Sequence, residues 1–236
     1  RFFSSNRELK KEFIMSSPAV SKEQKKDKKF LLIVIAASCL VAAMFGSRNS
    51  LSLTIEGIDQ SQTLNYLQIS FAFALGQLVV GAISPFAGMI ADKYGSGKTL
   101  TVGILLGLLG IILIPYSTTA FTLSISLGVI SSIGLGVAGL PVVLASVNRL
   151  IPQNKVGMAF GLVNAGQSLG QLILAPLAGF IIVNFGWILC ILFLCTVLLL
   201  VLPFSFTLRS RTDTKQPSGV QTKSLSETLR IAFNTP

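Results

Sequence analysis

The chain has 236 residues, of which 51% are hydrophobic and only 12% charged, and its mean hydropathy is +0.73. A water-soluble domain carries about 25% charged residues, so this composition excludes a globular domain wrapped in polar side chains and points to the lipid bilayer. The net charge of +10 does not indicate nucleic acid, because the lysines and arginines cluster between long uncharged runs.

In chain order, residues 1–29 read as a basic N-terminal tail, with Met15 a candidate start and residues 1–14 ahead of it. A helix crosses the hydrocarbon core with about 20 apolar residues, and Phe30 to Leu53 is the first run of that length. It exceeds a signal-peptide core and no small-residue cleavage site follows, so it reads as a permanent span. Five more runs follow: Tyr66 to Ala91, Leu100 to Tyr116, Phe121 to Val147, Gly157 to Phe185 and Trp187 to Phe206. Residues 30–206 are thus expected to form a six-helix transmembrane bundle. Residues 207–236 read as a linker opening a central loop, with Ser224 to Phe233 as an amphipathic segment in a chain expected to continue past Pro236.

Orientation follows from the distribution of Lys and Arg. Of the 19 basic residues, 18 fall in the N-terminal tail, the second-to-third loop (Lys93, Lys98), the fourth-to-fifth loop (Arg149, Lys155) and the C-terminal segment. The opposite side holds only Arg48, with Glu56 and Asp59. Both termini are therefore expected on the cytoplasmic side of a cytoplasmic membrane. Cys39, Cys190 and Cys195 lie in apolar runs, none forms a CxxC pair, and the chain has no histidine. No metal, no cofactor and no disulfide framework is expected.

Two spans resemble each other. The second contains LGQL (Leu75 to Leu78) and then PFAGMIADKYG (Pro85 to Gly95). The fifth contains LGQL (Leu169 to Leu172) and then PLAGFIIVNFG (Pro176 to Gly186). The shared pattern is P-x-A-G-x-I, four residues, then Gly preceded by an aromatic. The copies run in opposite directions, so spans 1–3 and 4–6 read as inverted repeats, the internal architecture of secondary transporters.

Two glycine motifs are decoys. GSGKT ends like a phosphate-binding loop, but the first glycine of that motif falls on Asp92, whose carboxylate repels a phosphate, and a membrane helix precedes it instead of a strand. GLGVAG, with Gly134, Gly136 and Gly139, has dinucleotide-fingerprint spacing but lies inside an uncharged span. Close helix packing accounts for these glycines and for Gly103 and Gly107 in the third span. Nothing in the sequence marks an enzyme.

Placed between spans 2 and 3 on the basic side, GMIADKYGSGK (Gly88 to Lys98) resembles the loop signature of the major facilitator superfamily, G-x-x-x-D-[RK]-x-G followed by basic residues. Gly88, Asp92, Lys93 and Gly95 match, and Lys98 supplies one later basic residue. Ser96 and Gly97 stand where the family has Arg or Lys. Gly166, Gly170, Pro176 and Gly179 loosely resemble the family's glycine-proline motif in helix 5, with a departure in spacing that carries no inference of antiport. The arginine frequent in helix 4 is absent, and Arg149 lies at that helix's end instead. FGSRNSLSL (Phe45 to Leu53) resembles the first helix of bacterial facilitators related to monocarboxylate porters.

The resemblance implies an all-α membrane protein: one six-helix half, two inverted three-helix repeats, with a second six-helix half outside this chain. It implies alternating-access transport of a small solute, an organic anion such as a monocarboxylate, with or without a coupling proton. It also implies that Asp92 latches the two halves through a helix of the missing half, and Gly95 reads as the residue of a tight turn. Arg48 either snorkels at the outer boundary or faces a cavity and draws anions. Gln77, Asn164, Gln167 and Gln171 either line that cavity or bond between helices. Two alternatives stay open: a half-size transporter working as a dimer, and a non-transporting membrane scaffold or sensor.

Overall fold

The computed structural model describes residues 18–61 and 64–208, and among these every element is helical. The candidate start at Met15, the first part of the basic tail, nearly all of the linker and the segment Ser224 to Phe233 lie outside the described residues. Six helical stretches are long and apolar enough to cross a membrane: Asp27–Asp59, Tyr66–Tyr94, Ser96–Tyr116, Ala120–Leu150, Gln153–Phe185 and Trp187–Thr207. They are spans 1 to 6 below.

Span 1 starts earlier than the apolar run. Its helix runs from Pro18 to Leu51, so the last part of the basic tail is helical. Proline suits the first turn of a helix, and the Lys, Glu and Gln that follow are good helix formers. Past Leu51 the chain tightens through a 3-10 turn, Ser52–Thr54, into a helix at Ile55–Ser61.

Span 4 is not the single regular helix its hydropathy predicts. It runs as a short helix at Ala120–Leu123, a π-helical stretch at Ser124–Ser131, a helix at Ser132–Val137, and a last helix at Leu140–Leu150. The break falls at Ala138 and Gly139, where Gly139 is extended and Pro141 sits in the first turn of the next helix. Proline has no N–H for the preceding turn and its ring clashes with it, which interrupts the ladder. Gly139 is therefore a break point, and the nearest atoms to it belong to its own segment, Gly136, Leu135 and Pro141.

Spans 2 and 3 are joined by one residue, Gly95, and spans 5 and 6 by one residue, Gly186. These two glycines have φ of 90° and 86°, and no other described residue has positive φ. Their hydrogen bonds correspond. Gly95 N–H donates to Ala91 and Thr99 N–H donates to Gly95; Gly186 N–H donates to Ile182 and Cys190 N–H donates to Gly186. Only glycine reaches such a conformation without strain.

The packing has the same two-fold character. Span 1 lies along span 5 as span 4 lies along span 2; span 6 lies on span 1 as span 3 lies on span 4; spans 3 and 6 meet each other. Leu40, Ile104, Ile191 and Leu194 fill the centre from spans 1, 3 and 6. Lipid gives helices no hydrophobic drive to associate, so close backbone approach at small residues does the work. Gly166 and Gly170 seat span 5 on Ser38 and Ala42 of span 1, Gly76 seats span 2 on Gly128 and Ser132 of span 4, and Gly134 meets Gly103 and Gly107 of span 3. Gly136 meets Val80 and Ile83 of span 2. Gly179 has no neighbour within reach of a Cβ and Pro176 is exposed, so neither packs a helix within this chain. The reason is their face: spans 2 and 5 turn outward and bury only 17% and 11% of their apolar windows, against 39% to 56% for the other four.

Candidate functional site

Arg48 lies well inside span 1, with helical turns continuing after it to Ser61. Its guanidinium donates a hydrogen bond to Gln77 Oε1 of span 2. Gln77 is eleven residues in from Tyr66, about 17 Å along the helix axis. Of the two positions open to Arg48 from its place in the sequence, the structure shows it half-buried and facing a cleft.

That cleft has a volume of about 140 Å³ and lies between spans 1, 2 and 4. Met44, Phe45 and Arg48 come from span 1, and Gln77, Val80 and Ser84 from span 2. Leu135, Gly136, Gly139, Leu140 and Pro141 come from span 4. The break in span 4 thus forms one wall. Ser84 donates its hydroxyl proton to Val80 O at 2.7 Å, as serines inside helices commonly do. On the other side of Arg48 is a recess of about 30 Å³, lined by Leu51, Phe73, Gly76, Leu127, Ser131, Ser132 and Leu135. Ser131 closes the π-helical stretch, a geometry that recurs at functional positions.

The polar residues singled out in the sequence do not converge. Arg48 and Gln77 meet. Asn164, Gln167 and Gln171 sit on span 5 and line neither pocket. Asn164 is exposed and returns its amide to Phe160 O at 2.9 Å. Ser84, Ser131 and Ser132 line the two pockets as well; the sequence signal for the last two is a serine pair in an otherwise apolar run.

At the lysine-rich end, Asp92 accepts an ion-paired hydrogen bond from Arg149, at the end of span 4. Asp92 therefore has a partner inside this chain. Lys155, opening span 5, pairs with Asp27 at 2.7 Å and holds its ammonium 5.3 Å from the centre of the Phe30 ring. Lys93 lies 5.4 Å from the ring centre of Tyr94, and Lys98 is exposed. Gly88 has open space around it. Among the described residues no group of His, Cys, Asp and Glu could hold a metal ion.

Two three-helix units with a cleft between membrane helices form the architecture on which secondary transporters are built. The chain belongs to the Major Facilitator Superfamily, whose model matches residues 31–236. The chain is 28% identical to the riboflavin transporter RibZ of Clostridioides difficile over 69% of its length. It is 25% identical to monocarboxylate transporter 11 of Mus musculus over 75%, and 29% identical to the transporter asaE of Aspergillus flavus over 80%. The chain spans 35%, 39% and 44% of the lengths of these three relatives.

Proposed function

We propose that the chain is one six-helix half of a secondary transporter that carries a small organic anion, a carboxylate, by alternating access across a cytoplasmic membrane, with its termini on the cytoplasmic side. The observation that carries this reading is Arg48. It is a guanidinium within the depth of the bundle whose polar partner is the neutral Gln77. A charge costs about 2.5–3.5 kcal/mol at the centre of a span on insertion scales, and a charge within a span marks a functional path. The acidic residues of the six spans, Asp27, Glu56, Asp59 and Asp92, all stand near span ends. A carboxylate solute supplies the missing negative charge. A coupling proton then travels on the solute or through the other half.

The outward faces of spans 2 and 5 support a second six-helix unit. Gly81, Gly88, Gly157, Gly161 and Gly179 all lie on these two spans with nothing against them in this chain. Bare glycine suits close approach by another helix. Asp92 and its loop act as a latch at the lysine-rich end. The Asp92–Arg149 pair is partly exposed, and such pairs contribute about 0–1 kcal/mol, weak enough to open in each cycle.

The test is uptake by the full-length protein in proteoliposomes, using pyruvate, lactate, an amino acid and a sugar, beside Arg48→Ala. Carboxylate uptake is expected, falling about 30-fold in the variant, the scale of a lost hydrogen bond to a charged group. Absence of carboxylate uptake, or equal uptake by the variant, overturns the reading.

A further inference from the structure

We propose that Gln77 determines which charge the cleft accepts, by orienting Arg48 and by leaving its positive charge uncancelled. The inference rests on the carboxylate reading above and deepens it.

A guanidinium offers five N–H donors and no acceptor. The Gln77 atom that meets it is therefore the carbonyl oxygen, as observed. That contact fixes the amide, since its other arm is an NH₂ group that can only donate. Gln77 and Arg48 line the same cleft, so together they present donors. Ser84 has already spent its proton on Val80 O. The other walls, Val80, Leu135, Leu140 and Pro141 among them, are apolar. One positive charge beside apolar surface selects a solute with one carboxylate and an apolar body. A second carboxylate finds no further cation among the walls this chain supplies, and burying it unpaired is costly.

Neutrality of the side chain at position 77 is the key. Glutamate has the same shape but would pair with Arg48 and cancel the site's charge. Methionine has similar length and no acceptor, and would leave the guanidinium unheld. The chain contains its own comparison. Gln171 occupies the matching repeat position, also follows a contact glycine, and lines neither of the two pockets that Arg48 lines.

The experiment measures KM and Vmax for pyruvate, and uptake of succinate, in the full-length protein and in Gln77→Glu, Gln77→Met and Gln171→Glu, scaled to the amount in the membrane. Gln77→Glu is expected to lower pyruvate uptake at least 30-fold. Gln77→Met is expected to raise KM at least tenfold with Vmax within threefold. Gln171→Glu is expected to lower uptake less than Gln77→Glu does, and the wild type to exclude succinate. If Arg48→Ala abolishes uptake while both Gln77 variants keep the wild-type KM, the role of Gln77 is overturned and the carboxylate reading stands. Succinate uptake equal to that of pyruvate, or equal losses from Gln77→Glu and Gln171→Glu, also overturns it. Wild-type failure to carry pyruvate overturns the reading beneath it.

Discussion

Gln77 and Gln171 stand at matching places in two three-helix units that share a great deal. Each follows a glycine that seats its helix on a neighbour, and each unit turns its second helix into its third through a single positive-φ glycine. The surroundings of the two glutamines differ. Beside Gln77 are Arg48 and a cleft walled by the broken span 4. Gln171 lies on span 5 beside Gly170, which packs on an unbroken stretch of span 1, and it lines neither pocket. The repeat therefore duplicates scaffold and does not duplicate chemistry. Backbone joints and contact glycines are set by sterics, which both copies need. A charge needs only one site, and a second unpaired arginine in lipid would add its insertion cost without a use.

The likeness between the units can be stressed in three ways. The largest effect is expected at the contact glycines. Gly170 meets the backbone of Ala42, whereas Gly76 meets chiefly the hydroxyl of Ser132, a side-chain atom that yields more readily than backbone at the cost of its bond to Leu127 O. Gly170→Val should cost about 3 kcal/mol and Gly76→Val about 1 kcal/mol, within the range for overpacking. Thermal unfolding of the purified protein in detergent measures both. Equal losses would show that side-chain give does not decide the cost.

Next come the joints. Gly95→Ala and Gly186→Ala each force a side chain into a conformation that costs about 1–3 kcal/mol. The two losses in Tm should be of similar size, because both joints have φ near 90° and a backbone hydrogen bond on either side. Tolerance of one and not the other breaks the correspondence. The smallest effect belongs to a contact that only one unit makes. Asp92→Asn and Arg149→Gln should each lower stability by under about 1 kcal/mol. The double variant should be no worse than either, and the difference should fade with added salt. A double-mutant cycle checks it, and additive losses would mean that each residue has another partner.

Much of this was legible in the sequence because hydropathy, basic-residue asymmetry and the Pro85 and Pro176 patterns are local signals. They mark six spans, the repeat, and the family resemblance at Gly88 to Lys98, in agreement with the helices and with the match over residues 31–236. The irregularity of span 4 was not legible. A π-helical stretch leaves no mark in an uncharged run, although Gly139 followed by Leu140 and Pro141 was a break signal in plain view. Nor was the pairing of Arg48 with Gln77 or of Asp92 with Arg149. These partners are 29 and 57 residues apart, and their meeting depends on how helices rotate against one another. Which of the polar residues line the cleft was not legible for the same reason: Gln77 does, whereas Asn164, Gln167 and Gln171 of span 5 line neither pocket.

Gly95 and Gly186 each leave one residue of chain between two long helices, with both backbone groups of that residue hydrogen-bonded. A joint so short and so tied works like a welded bracket. Spans 2 and 3, and likewise spans 5 and 6, have only one residue in which to change their relative direction. The longer connections and the gap in span 4 before Leu140, which is also the wall of the cleft, give more than one residue to such a change.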